Sequence, residues 1–118
     1  MSFERFDVVR VPFPFTDRQS TKSRPALVLS SAEDFNHAAG HSVMAMAMIT
    51  SEANAPWPLD QTLGNLVAAG LPAPSKVRFN LFSLDDRLVR GRLGRLDDGD
   101  AQAVAHALER LLANSRQS

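Results

Sequence analysis

The sequence predicts a mainly β fold: a small β-barrel with one α-helix packed against it at the C-terminus. Several short segments are rich in β-branched and apolar residues, and loops of glycine, proline and polar residues separate them. A single segment of helical periodicity follows at the end of the chain. The 118 residues are 44% hydrophobic, which suits one globular domain over residues 1–118. We expect the barrel at about residues 5–96 and the helix at about residues 98–113.

Three strands are predicted in the first half of the chain. Residues 7–13 are rich in β-branched side chains and contain Pro12 near their end. Residues 24–31 are almost all apolar after Pro25, which favours a central strand. Residues 42–50 alternate methionine with alanine, a pattern that fits a helix or a strand, but their short length between a glycine loop and polar residues favours a strand. We expect the methionines of this segment on one sheet face, in the core or at a dimer interface.

The second half contains a weak predicted strand at residues 61–63, followed by a loop. Two further strands are predicted at residues 75–82 and 88–96, where polar and apolar side chains alternate. Asp97 or Asp98 can cap the N-terminus of the helix that follows. The helix has one apolar face, formed by Ala101, Val104, Ala105, Leu108, Leu111 and Leu112.

The formal net charge is zero, but the charges are unevenly distributed. Residues 1–30 carry a net charge of +2 and residues 76–96 a net charge of +4, whereas residues 31–75 carry −4 and the remaining tail −2. If the two basic segments pair in space, they form a positive surface able to bind phosphate. The alternative is that arginines at strand edges keep a sheet soluble.

Several classes of site are excluded or disfavoured by composition. The chain has no cysteine, which excludes disulfides, thiolate catalysis and cysteine-type zinc sites. His37 and His41 have the i, i+4 spacing of metal ligands, but Gly40 lies between them and no carboxylate completes a known pattern, so we expect no metal. The apolar runs are too short to span a membrane, and the N-terminus lacks the plan of a signal peptide. We therefore expect a cytoplasmic protein with no membrane partner.

Six motifs follow one another in an order that is informative as a set. They are Asp7-Val8-Val9-x-Val11-x-Phe13, Arg24-Pro25-Ala26-Leu27-Val28-Leu29-Ser30, Ile49-Thr50-Ser51, Gly70-Leu71-Pro72-Ala73-Pro74-Ser75-Lys76-Val77-Arg78, Leu81-Phe82-Ser83-Leu84-Asp85 and Leu93-Gly94-Arg95-Leu96. The second motif alone is only moderately specific, whereas the ordered set is strong. Over about residues 5–112 the chain resembles the PemK/MazF family of toxins from bacterial toxin–antitoxin pairs.

The resemblance implies a fold, an activity and partners. The fold would be an SH3-like barrel that forms a homodimer. The activity would be that of an endoribonuclease that cleaves single-stranded RNA, such as mRNA, without a metal or another cofactor. An antitoxin protein from a separate chain would block this activity.

The resemblance also assigns candidate catalytic residues. Arg24 matches the arginine of the family's Arg-Pro motif, and its planar guanidinium can donate to two phosphate oxygens. Thr50 matches an active-site threonine or serine, whose hydroxyl can donate to a phosphate oxygen. Arg78 matches an arginine that some members use on RNA. The alternatives are that Arg24 pairs with Asp17, that Thr50 only ends a strand and that Arg78 only faces solvent.

Five further residues are candidates for RNA binding. Lys22 and Asp17 belong to the polar loop that adjoins the RNA groove in this family, and Ser51 can share the role of Thr50. Trp57 lies between two prolines and is a candidate for stacking on a base. Asn80 stands two residues after Arg78, where some members have an aspartate as the candidate general base.

The general base is not identified by the sequence, because the amide of Asn80 does not accept a proton at neutral pH. The candidate carboxylates are Asp17, Glu52 and Asp85, and the resemblance implies a structural role for Asp85, which matches a turn position of the family. Without a base, the enzyme would depend on stabilising the charge of the phosphate and on positioning the 2′-hydroxyl.

Two other functions are compatible with the sequence. One is that of a non-catalytic relative on the same fold, which would bind a protein target such as a topoisomerase. The intact Arg-Pro-Ala motif argues for the ribonuclease, whereas Asn80 argues mildly for the binding protein. The other is a binding module without toxicity.

Overall fold

The computed structural model describes residues 3–13, 22–31 and 43–113. Within these residues, six strands and two α-helices follow one another. They are β1 (Asp7–Pro12), β2 (Ser23–Val28), β3 (Val43–Ser51), β4 (Gln61–Thr62), α1 (Leu66–Ala69), β5 (Ser75–Asp85), β6 (Gly91–Arg95) and α2 (Asp98–Leu112), with a 3-10 turn at Asp86–Leu88 between β5 and β6. Asp17, His37 and His41 lie outside the described residues.

The six strands form one antiparallel sheet in the order β4-β5-β3-β2-β1-β6, curled into a half-barrel. Because neighbouring side chains of a strand point to opposite faces, the sheet has an apolar cluster on each face. The cluster on the helix side includes Val8, Leu27 and Val104. The cluster on the other face includes Val9, Ala26 and the buried methionines Met44 and Met46, with Phe3 packed over it.

The helix α1 lies between the two edges of the sheet. It follows the edge strand β4 in the chain and packs against β6, the strand at the opposite edge. The buried side chain of Asp100 in α2 stabilises the residues just before α1. Its carboxylate accepts hydrogen bonds from the backbone N–H groups of Gly64 and Asn65, each at 2.9 Å. The helix α1 therefore connects the chain that leaves β4 to β6 at the opposite edge of the sheet.

The predicted fold class is confirmed. Strands occur at the predicted places, and α2 begins at Asp98 with Asp97 as its N-cap. The loop predicted after β4 was partly wrong, because α1 occupies four residues of it, too few for a hydrophobic period to show. The strand predicted at 88–96 begins only at Gly91, since Asp85 caps the 3-10 turn that precedes it.

Among the described residues, no helix combines the length and the apolar character needed to cross a bilayer.

Candidate active site

Arg24 and Thr50 lie at the same end of the sheet, where β2 begins and β3 ends. The two strands pair with Ala26 opposite Met48 and Leu27 opposite Ala47. The same register continued by two residues sets Arg24 across from Thr50. Both line a groove of about 430 Å³. The other lining residues are Pro25, Ile49, Ser51, Asn54 and residues 71–75.

The guanidinium of Arg24 is exposed and makes no ion pair or hydrogen bond with the described part of the chain. Four other described arginines contact a carboxylate at 2.8–3.3 Å: Arg78, Arg87, Arg92 and Arg95. Arg24 therefore differs from them in having its donors available to a ligand in the groove.

The hydroxyl groups of Thr50 and Ser51 each accept a hydrogen bond from the loop that follows β3. The side-chain amide of Asn54 donates to Thr50 Oγ1, and the backbone N–H of Ala53 donates to Ser51 Oγ at 3.2 Å. A hydroxyl group has one donor and two acceptor positions. Both hydroxyls therefore keep their proton free to donate to an anion in the groove.

Lys76 lies directly opposite Thr50 in the pairing of β3 with β5, and only 5% of its side chain is exposed. Its ammonium donates to the backbone carbonyl of Asn54 at 2.8 Å and contacts Asp60 Oδ2 at 3.2 Å. The sequence motifs did not indicate Lys76, Asn54 or Asp60 as site residues. The alternation of side chains along β5 could have indicated Lys76, because it places Lys76 on the same sheet face as Arg78, which the motifs did indicate.

Three groups contact the carboxylate of Asp60: the Arg78 guanidinium, the backbone N–H of Trp57 and the Lys76 ammonium. Arg78 donates to both of its carboxylate oxygens, at 3.3 and 3.0 Å, and the backbone N–H of Trp57 donates at 3.0 Å. Partial burial raises the pKa of Asp60, but the hydrogen bonds from Arg78 and Lys76 lower it by more, so the net direction is downward. Asp60 is therefore a carboxylate that organises its neighbours and stays ionised at neutral pH.

Arg78 does not line the groove as part of its described wall. Besides Asp60, its guanidinium donates to the carbonyl of Ala55 at 2.6 Å and stacks on the Trp57 ring, 5.5 Å from the ring centre. Trp57 is 48% exposed and also stands outside the groove. The contacts of Arg78 therefore stabilise the loop between β3 and β4.

Asn80 and Lys22 are not among the described residues that line the groove. Asn80 is exposed on β5, in the bulge where Met48 pairs with Arg78 and Ala47 with Leu81. Lys22 is exposed two residues before Arg24. Asp17 lies outside the described residues.

Carboxylates are missing from the described lining of the groove. Glu52 accepts a hydrogen bond from the Thr62 hydroxyl at 2.6 Å. Asp85 caps the 3-10 turn, and the side-chain hydrogen bond from Arg87 holds the pKa of Asp85 well below its usual range. Neither carboxylate is placed as a base for the groove. The described residues also contain no cluster of three or more His, Asp or Glu side chains able to hold a metal ion.

A curled antiparallel sheet with a terminal helix, and a groove that Arg24 and two hydroxyl side chains line among the described residues, defines the class of protein: a small half-barrel with a polar groove at one end of the sheet. Residues 4–112 match the family model of PemK-like, MazF-like toxins of type II toxin–antitoxin systems. The chain belongs to this family, as its motifs predicted.

Solved structures agree with this assignment. MazF from Deinococcus radiodurans (crystal form I) is 27% identical with a TM-score of 0.70, and the match covers 97% of this chain and 99% of that one. The MazE–MazF structure from the same organism (form II) is 25% identical with a TM-score of 0.71, covering 98% and 99%. A mycobacterial endoribonuclease in complex with its cognate antitoxin is 17% identical, covers 98% of both chains with a TM-score of 0.70, and shows the likeness of fold alone. No curated protein matches the sequence significantly.

Proposed function

We propose that this toxin is an endoribonuclease that cleaves single-stranded RNA, with mRNA as its substrate. The observation that carries the proposal is that Arg24 and Thr50 line one groove, with the guanidinium of Arg24 unpaired in the described part of the chain. An exposed guanidinium beside hydroxyl donors is a site for a phosphodiester.

The reaction is an attack of the RNA's own 2′-hydroxyl on the adjacent phosphorus. The 2′-oxygen loses its proton and forms a bond to phosphorus, while the bond from phosphorus to the 5′-oxygen breaks and that oxygen takes up a proton. Arg24 donates two hydrogen bonds to the non-bridging oxygens, where negative charge develops. Thr50 and Ser51 donate further hydrogen bonds to the same phosphate.

The mechanism depends on charge stabilisation and on positioning, because the described wall of the groove offers no carboxylate as a base. The guanidinium supplies the positive charge, so the proposed reaction needs no metal ion. Solvent accepts the proton of the 2′-hydroxyl in this scheme, which predicts a modest rate.

Flanking nucleotides would contact residues around the groove. Lys22 is exposed just before β2, close to Arg24 in the chain, and would bind a neighbouring phosphate. Asp17, which lies outside the described residues, stays a proposed RNA contact on the ground of the family resemblance. Trp57 is exposed and would stack on a base beyond the groove, with Asn80 as a polar contact on β5. Arg78 would act on RNA through the loop that it holds.

We also propose that a separate antitoxin chain inhibits this toxin and that the toxin is a homodimer. The likeness to a MazE–MazF structure supports the antitoxin, and membership of the toxin family is the ground for the homodimer. An antitoxin that presents a carboxylate to Arg24 would compete directly with RNA. The substrate places the proposed activity in the cytoplasm.

The test is incubation of the purified protein with a long single-stranded RNA in the presence of a chelator. Arg24→Ala is the test variant, and Arg110→Ala is the matched control, because Arg110 is an exposed arginine in the last turn of α2. We expect discrete fragments from the wild type and the control, and a loss of about 100-fold or more with Arg24→Ala.

Full cleavage by a folded Arg24→Ala protein would remove Arg24 from the mechanism. Intact RNA with the folded wild type would contradict the ribonuclease and favour a toxin that binds a protein such as a topoisomerase. Loss of cleavage in chelator that a divalent metal restores would contradict the metal-free reaction.

A further inference from the structure

Lys76 is a buried cation whose partners among the described residues all belong to one loop. Its side chain is 5% exposed, and its ammonium contacts the Asn54 carbonyl at 2.8 Å and Asp60 Oδ2 at 3.2 Å. A buried ammonium is costly unless it is paired and hydrogen-bonded. Both partners lie in the loop between β3 and β4, so the cost is offset only when this loop lies against β5.

Asn54 connects this ammonium to the groove. Its backbone carbonyl is held by Lys76, while its side-chain amide donates to Thr50 Oγ1. A turn bond from the Asn54 N–H to the Ser51 carbonyl, at 3.1 Å, fixes the same residue from the other side. Asn54 is exposed, so these polar contacts rather than packing orient it.

We propose that Lys76 is a positioning residue that, together with Asp60, directs the hydroxyl proton of Thr50 into the groove by way of Asn54. The amide of Asn54 occupies an acceptor position of the Thr50 oxygen and leaves the hydroxyl proton to point away from the loop. This inference rests on the proposed ribonuclease activity, in which that proton is donated to the phosphate.

Lys76 does not act as a second phosphate-binding cation. Its side chain is almost fully covered, its ammonium contacts Asp60, and it is not among the described residues that line the groove. Its effect on RNA cleavage therefore passes through Thr50. A residue that acts in this way changes the rate of the chemical step more than the affinity for RNA.

The first test is a double-mutant cycle on the single-turnover cleavage of a short RNA with one site. Asn54→Ala removes the donor to Thr50, and Thr50→Val removes the hydroxyl while keeping the shape of the side chain. We expect Asn54→Ala to lower the rate about tenfold at saturating RNA, with half-saturation changed less than about twofold. In the Thr50→Val background, Asn54→Ala has no further effect. Multiplicative effects of the two substitutions would overturn the proposal.

Lys76→Met tests whether the buried ammonium supports the hydrogen bond between Asn54 and Thr50. Asp60 keeps its bonds from Arg78 in this variant, so no carboxylate is left without a partner. We expect the same decrease, of about tenfold, as with Asn54→Ala, and no further decrease when the two are combined. If Lys76→Met does not fold, Lys76→Gln retains a neutral donor for the Asn54 carbonyl, and its rate should lie closer to the wild type. Wild-type cleavage by a folded Lys76→Met protein would contradict the proposal.

A measurement without RNA separates this inference from the proposed activity. The side-chain amide signals of Asn54 in a ¹⁵N–¹H spectrum report its bond to Thr50, and the exposed amide of Asn80 is the internal reference. We expect Lys76→Met and Thr50→Val to shift the Asn54 signals and to leave those of Asn80 in place. Unchanged Asn54 signals would contradict the positioning role. Shifted signals in a protein that does not cleave RNA would support the connection and contradict only the ribonuclease.

Discussion

Gly94 of β6 lies directly against the backbone of Ala68 in α1, so close that a β-carbon on Gly94 would stand 2.3 Å from the Ala68 carbonyl oxygen. The same β-carbon would be 2.6 Å from the carbonyl carbon of Ala69. These neighbours are backbone atoms, which cannot move away by a change of rotamer as a flexible side chain can. The absence of a side chain at Gly94 is therefore what allows α1 to join the two edges of the sheet.

Gly94→Ala should push α1 away from β6 and lower the free energy of unfolding by about 2 kcal/mol or more. Gly99→Ala is the matched control, because a β-carbon there meets only Asp97 Oδ1, at an ordinary contact distance of 3.7 Å. We expect the control to stay within about 0.5 kcal/mol of the wild type in urea unfolding. Equal midpoints for the two variants would contradict the close contact at Gly94.

Asp97 connects the start of α2 to α1 through both carboxylate oxygens. One oxygen accepts from the Asp100 N–H at 2.8 Å, and the other accepts from the side-chain amide of Asn65 at 3.1 Å. Asp97→Ala should lower the free energy of unfolding by about 1 kcal/mol, as the loss of an N-cap does. Asp97→Asn keeps an oxygen that can cap the helix and should lose less. Thermal unfolding measures the loss of stability in both variants. Equal losses would mean that the negative charge of Asp97 contributes more than its role as an N-cap.

The carboxylate of Asp60 should make stability depend on pH in the acidic range. The folded state lowers the pKa of Asp60, so its contribution is complete above the unfolded pKa of about 3.9 and disappears as the pH falls through the lower folded value. Asp60→Asn should therefore be less stable than the wild type by about 2 kcal/mol at pH 7, because Lys76 loses its counter-charge. The difference should shrink below about pH 4. A constant difference between pH 7 and pH 3 would show that the pKa of Asp60 is not lowered.

Arg24→Lys should separate RNA binding from cleavage. Lysine keeps the positive charge but not the paired donors that reach two phosphate oxygens at once. We expect affinity for a non-cleavable RNA to change by less than about fivefold, and the cleavage rate to fall by about tenfold or more. Filter binding and gel assays measure the two quantities. Undiminished cleavage would show that a point charge at this position is enough.

A substrate with one 2′-deoxynucleotide at the cleavage site tests the proposed attacking group. Removing the 2′-hydroxyl removes the nucleophile, so this substrate should remain intact while the protein still binds it. The same sequence with the deoxynucleotide two positions away is the control and should be cleaved normally. Cleavage at the deoxy position would show that water, not the 2′-hydroxyl, attacks the phosphorus.

Local features of the sequence predicted most of the fold. Alternation of polar and apolar residues predicted β5, and a run of apolar residues after Pro25 predicted β2 as a central strand. Asp97 and the spacing of apolar residues predicted α2. The four residues of α1 could not be predicted in this way, because so short a helix is held by its contacts with β6 and by its caps, Asn65 and Gly70.

The candidate site was predicted in part. Arg24, Thr50 and Ser51 came from motifs, and the structure brings all three to one groove. The sequence predicted that Arg78 acts on RNA or faces solvent, and it did not select Asp60, because no local pattern relates two residues 18 positions apart with β4 and α1 between them. Their bonds at 3.0 and 3.3 Å exist only after β5 pairs with β3 and the loop folds back on it.

The sequence by itself determined the strand periodicity, the capped terminal helix and the membership of the toxin family, since each depends on residue types at fixed short spacing. Only the tertiary structure decided which cations are free. Arg24 and Lys76 both flank Thr50 in the sheet, yet Arg24 is exposed whereas Lys76 is buried against Asn54 and Asp60. The physical reason is that the availability of a charge depends on the partners and the burial that folding brings to it, and those partners lie many residues away along the chain.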